Sequence, residues 1–135
     1  MSHRGSCICG DIRFEVTGDL GKAVACHCAQ CRKGSGHFVV ATAAPAVAIS
    51  VEGTPRWFAY KPGVERGFCG RCGAQLFWRG AGDASVSIFM GAFDGATGLR
   101  IDGHIYVAEK GDYYEIDQGL PAAAFADPIL TTRQT

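Results

Sequence analysis

Cys69-Gly-Arg-Cys72-Gly73 carries the most specific chemistry in this sequence. A Cys-x-x-Cys turn with glycine just after the second thiol can pass through positive φ and aim backbone amides at its sulfurs, which relieves thiolate charge as in a zinc knuckle. A knuckle supplies two of the four ligands that tetrahedral zinc requires. Cys7-Ile8-Cys9-Gly10 offers the other two, because residues i and i+2 on a strand project to one face. Four sulfurs at roughly 2.3 Å from one ion would tie the start of the chain to a turn past its middle. Structural zinc contributes about 10 kcal/mol or more of apparent binding free energy, comparable to the whole net stability of an ordinary domain. The competing readings are four ordinary buried cysteines, an iron-sulfur site or a redox pair. A redox Cys-x-x-Cys sits at a helix start within a βαβ unit, and the sequence shows no such unit.

A second thiol group follows at Cys26-His27-Cys28-Ala29-Gln30-Cys31-Arg32-Lys33. If 23–28 is a strand, Cys26 and Cys28 share a face, His27 points away, and Cys31 returns from the next turn. Three thiolates then converge with no fourth cysteine left, and a zinc ion with three protein ligands keeps a position for water or substrate. This open coordination is the reason to consider catalysis, with Cys26, Cys28 and Cys31 as the catalytic site. His27 or His37 could close the site, although strand parity argues against His27; a purely stabilising or empty site is the plainer alternative. Arg32 and Lys33 could hold substrate carboxylates, or simply offset thiolate charge, or be solvated.

The elements that must position these thiols read as strands. Nineteen glycines and five prolines break the chain every few residues, and the short stretches between are rich in Val, Ile, Phe, Tyr and Trp. The clearest strand is 11–17, where Ile12, Phe14 and Val16 alternate with Arg13, Glu15 and Thr17. Further strands are expected at 23–28, 37–42, 47–51, 56–60, 67–69, 74–79, 85–90 and 104–108. The stretch 29–33 reads as a helical turn, and 41–48 as a small-residue loop entering a strand. No segment holds an apolar stripe at helical spacing for three turns, so the fold class is all-β. Trp57, Phe58, Tyr60, Phe77, Trp78, Phe89 and Phe93 could wall a pocket, but aromatics at alternating strand positions more often form core. Asp94, Asp102 and Glu109 fit no acid-base pattern and receive no role.

At 135 residues the chain suits one domain, assigned to 1–120, with 121–135 as a tail that packs on it or frays. Thirteen basic residues balance thirteen acidic ones, so no overall field favours nucleic acid or an anionic membrane. No apolar run approaches the length of a spanning helix, and the first residues lack the layout of a secretory signal. A cytoplasmic location is therefore expected, and there seven cysteines serve metal binding or catalysis rather than disulfides.

Three blocks together, Gly5-Ser-Cys-Ile-Cys-Gly-Asp-Ile-Arg-Phe14, Cys26-His-Cys-Ala-Gln-Cys-Arg-Lys-Gly-Ser35 and Arg66-Gly-Phe-Cys-Gly-Arg-Cys-Gly-Ala-Gln-Leu-Phe77, resemble the signatures of the glutathione-dependent formaldehyde-activating enzyme family, which includes centromere protein V. The resemblance implies a β-tent of small antiparallel sheets, a closed zinc site at Cys7, Cys9, Cys69 and Cys72, and a second zinc at Cys26, Cys28 and Cys31. It also implies a carbon-sulfur lyase activity, the joining of glutathione to formaldehyde to give S-(hydroxymethyl)glutathione or its reverse. Arg32 and Lys33 are the nearest cationic partners for glutathione's carboxylates. This chain looks compact beside the enzymes that gave the family its name, and short members share the cysteines without an established reaction. Two other functions therefore stand beside the enzyme: a non-catalytic zinc-stabilised binding module, and a metal-buffering or redox-responsive protein. B-type methionine sulfoxide reductases share the architecture, but no separate nucleophilic cysteine remains here once the ligands are assigned.

Overall fold

A computed structural model of the protein describes residues 1–127. Ten strands, β1 (Ser2–Ser6), β2 (Arg13–Thr17), β3 (Ala23–Cys26), β4 (Val39–Pro45), β5 (Ile49–Glu52), β6 (Arg56–Lys61), β7 (Val64–Phe68), β8 (Gln75–Gly80), β9 (Ser85–Phe89) and β10 (Ile101–Ile105), surround one short helix, α1 (Ala29–Ser35). They form a three-stranded sheet in the order β1-β2-β5 and a seven-stranded sheet in the order β10-β3-β4-β9-β8-β7-β6. The all-β, tent-like class expected from the sequence holds. Every pair is antiparallel except β10 with β3, which is parallel.

Alternation on β2 buries Phe14 and Val16 while Arg13 and Thr17 face solvent. Phe14 meets the rings of Phe77 and Phe93 edge-on, at centroid distances of 5.2 and 5.5 Å, and so couples the two sheets. Ile12, Val16, Ala44, Leu76 and Ile88 complete this core, and Cys7 and Cys69 belong to it. A smaller core gathers Cys31, Val39 and Phe89, with Cys26, Cys28, Ala41 and Trp78 at its margin.

The expected strands are recovered with shifted ends, and two segments differ in kind. β1 was not expected, because Ser-His-Arg-Gly-Ser has no apolar alternation; it forms by pairing all five residues with β2. Gly5 makes this possible, since a Cβ there would collide with the Phe14 ring and the Ala92 carbonyl. The small-residue stretch 41–48 is no loop: its first half lies in β4, with Thr42, Ala43 and Ala44 buried between β3 and β9, and only Ala46–Ala48 turns. Small side chains there let a central strand pack tightly on both faces. Of the expected tail, Ala122 bridges His104 in parallel and Ala123 donates to the His104 carbonyl at 2.9 Å, extending the β10 edge. The remainder, 128–135, lies outside the described residues. Among the described residues no helix is long and apolar enough to cross a membrane.

Candidate metal centres

Two hairpin-like turns build the first centre. Cys7 and Cys9 lie in the turn from β1 to β2, and Cys69 and Cys72 in the turn from β7 to β8. Cys7 and Cys9 therefore converge through a turn, not through the strand parity expected of an i, i+2 pair. The turns share a layout: the amide of the first cysteine donates to a carbonyl five residues on (Cys7 to Ile12, Cys69 to Ala74, both 3.0 Å). Its carbonyl accepts from a glycine amide, Gly10 or Gly73, each at positive φ. The freed amides point at sulfur, Ile12 at Cys7 Sγ (3.2 Å) and Arg71 at Cys69 Sγ (3.4 Å). An exposed Arg71–Asp11 ion pair of 3.3 Å links the turns.

All four sulfurs lie within 4.8 Å of one another, and no disulfide joins them. Sulfurs bound tetrahedrally at roughly 2.3 Å from an ion stand about 3.8 Å apart. The Cys7–Cys9 and Cys9–Cys69 separations of 3.6 and 3.7 Å fit that spacing. Cys72 is drawn down to about 6, chiefly by the Ala74 amide. Cys9, although it too receives an amide from Asp11, is pushed up to about 11 by burial and the three surrounding sulfurs. A set of thiols that cannot all ionise together calls for a cation to neutralise them.

The second centre spans the β3–α1 junction. Cys26 ends β3, Cys28 caps α1 with its sulfur accepting from the Cys31 amide at 3.3 Å, and Cys31 sits buried in the first turn. Their sulfurs also lie within 4.8 Å of one another. Cys28 is held down to about 2 by hydrogen bonds from the Cys26 and Cys31 thiols, whereas Cys28 and Cys31 drive Cys26 far upward. With a divalent ion and all three ionised, the trio would carry minus one overall.

His27 does not close this centre. Its ring is buried and faces the other way, Nδ1 against the Tyr114 hydroxyl and Nε2 against His104 Nδ1 at 2.9 Å. Burial, then the nearby His104, lowers His27 to about 4. His37 bonds the Tyr113 hydroxyl at 2.7 Å. Arg32 is half-buried and donates from Nε to the Glu109 carbonyl at 3.2 Å, while Lys33 is exposed. Glu109, given no role from the sequence, also accepts the Ala29 amide at 3.0 Å and so fastens the 3-10 turn Val107–Glu109 to the start of α1. Of the aromatics, Phe77 is core, Phe89 packs on Cys31, and Phe58 and Tyr60 are exposed. A cleft of about 260 Å³ runs from the first centre's turns to the end of α1, bordered by Ile8, Gln75, Ser35, Val39 and Phe89.

Sequence reasoning missed four residues around the second centre: His104, Tyr114, Glu109 and Arg66. The first three are brought in by a segment far along the chain with no spacing signal. Arg66 opens the third signature segment, but nothing in its neighbours Glu65 and Gly67 marks it for burial.

A small β protein that pairs a closed four-thiol cluster with an open three-thiol one is the class that fold and centres define. The sequence profile described as "Glutathione-dependent formaldehyde-activating enzyme" matches residues 2–109, and the chain belongs to that family. No curated protein matches the sequence significantly. In fold the chain is similar to a Rhodobacter sphaeroides protein of known crystal structure, with a TM-score of 0.56 at 19% identity, covering 69% of this chain and 89% of that one.

Proposed function

We propose that the chain is a zinc-dependent enzyme that makes and breaks the carbon–sulfur bond between a thiol, glutathione or one like it, and a small aldehyde such as formaldehyde. The observation that carries this reading is the unequal pair of clusters, four sulfurs in one and three in the other, in a chain of this family. Bound at the open cluster, zinc would supply a Lewis acid that favours the ionised form of an incoming thiol and polarises a carbonyl. In the forward direction sulfur bonds to the aldehyde carbon, the C=O π pair moves to oxygen, and the thiol's proton ends on that oxygen.

The chain's own part is to fix the reacting partners. Cys26, Cys28 and Cys31 are held by the end of β3 and the cap of α1, so three sulfurs keep one geometry while substrate enters beside them. Lys33, exposed near the end of α1, and Arg32, fixed by Glu109, offer positive charge to substrate carboxylates. Zinc at Cys7, Cys9, Cys69 and Cys72 has a structural role, and a cytoplasmic location would keep all seven thiols reduced.

Metal analysis with proton-exchange NMR tests this reading. Wild-type protein should hold two zinc ions per chain and accelerate exchange between formaldehyde and its glutathione adduct. Cys28→Ser should keep its fold and one zinc ion while exchange falls to the uncatalysed rate. A two-zinc protein inert toward every thiol–aldehyde pair offered would sink the enzymatic reading.

A further inference from the structure

Arg66 is the most anomalous side chain among the described residues. It is 5% exposed, and Nε, Nη1 and Nη2 are all buried without a hydrogen-bond partner among the described residues. A guanidinium in that position is costly unless an opposite charge compensates it. The adjacent carboxylate cannot do so: Glu65 projects from the other face of β7 and pairs with Arg79 at 3.0 Å. What surrounds Arg66 belongs to the second centre. Its guanidinium lies over the Phe89 ring at 5.3 Å, and Phe89 packs against Cys31. It also lies against Gly34 of α1, where a Cβ would come within 3.3 Å of Cζ and Nη2.

We infer that Arg66 is the built-in counter-charge of the three-cysteine centre, a positioning residue that neutralises the loaded cluster from beneath α1 and so keeps the ion in place. The inference rests on the reading above that Cys26, Cys28 and Cys31 hold a divalent ion. Three thiolates and a divalent ion sum to minus one, and a single fixed guanidinium brings the buried assembly to zero. Arginine suits the task because it stays charged when dehydrated and its flat face stacks on an aromatic ring. Gly34 contributes by leaving space for the guanidinium beside the helix. At the closed cluster Arg71 differs from Arg66, being exposed and paired with Asp11. The two centres are thus balanced differently, one by backbone amides and one by a buried charge.

The test is metal retention under chelator challenge, followed by zinc count and, after cobalt substitution, by the thiolate charge-transfer band of each centre. Removing a residue that supports metal ligands from the outer sphere typically costs about tenfold to a hundredfold in affinity. Arg66→Met should therefore lose the second ion about tenfold or more readily while the first stays as in wild type, and Arg66→Lys should restore most of the retention. Arg66→Met in a Cys28→Ser background supplies an independent reading. With the thiolate cluster broken, removing the buried charge should raise the melting temperature or leave it unchanged, whereas in the intact protein it should lower it. A wild-type chain that binds only one ion would overturn the functional reading and this inference with it. If wild type binds two and Arg66→Met holds both as firmly, or if the melting effect has the same sign in both backgrounds, the counter-charge role alone is overturned.

Discussion

Glycines and histidines show how single positions limit the fold. Gly73 has φ +79° with open space at its missing Cβ, so Gly73→Ala should cost only the left-handed strain, about 1 kcal/mol. Gly5 has no such φ, but its Cβ would strike the Phe14 ring and a backbone carbonyl, and Gly5→Ala should cost about 3 kcal/mol as overpacking. Urea titrations of the two variants check the order. His27 provides a pH dependence. Lowered from 6.5 to about 4 by burial and by His104, it resists the proton that the unfolded chain accepts. Stability should therefore be complete above about pH 6.5 and be lost as pH falls toward 4. Replacement by Gln should flatten that slope in preparations of matched metal content. The four-plus-three grouping of the cysteines was legible from their count, their spacing and the family resemblance, although Cys7 and Cys9 meet through a turn and not by strand parity. His104 and Tyr114 were not, because contacts made by a distant segment leave no mark in local sequence.

Among the elements, α1 depends on a partner outside itself. Seven residues are too short for a helix to stand by propensity, so its ends must be held. Cys28 caps one end from within, and Glu109 accepts the Ala29 amide from across the fold. Glu109→Ala should cost about 1 kcal/mol, as loss of a capping acceptor does, and should loosen Arg32. Thermal melts measure the first effect, and a raised KM with little change in kcat for the thiol substrate the second. Strands with alternation, β2 above all, could be read in advance. β1 could not, since it is polar and exists through its pairing with β2, and the second half of β4 reads as a loop because alanines in close packing resemble loop residues. The parallel β10–β3 pair was equally hidden, for nothing local tells a strand which neighbour it will join.

For the molecule as a whole, the closed cluster holds the two sheets at one seam. Cys7 and Cys9 arrive from the β1–β2 turn of the smaller sheet, Cys69 and Cys72 from the β7–β8 turn of the larger. Stepwise chelation should release the open centre's ion first with little change in circular dichroism, and unfolding should accompany release of the second, since that binding energy is folding energy. Simultaneous measurement of zinc release and ellipticity distinguishes the steps. Each turn is a local hairpin able to form early in synthesis, but their union joins residues about half a chain apart and, with zinc bound as proposed, depends on an ion from outside. The abundance of this protein should therefore track zinc supply: a cell starved of zinc would make chains whose Phe14–Phe77 junction stays ajar to proteases, and pulse proteolysis of lysates from depleted and replete cultures would reveal the difference in lifetime.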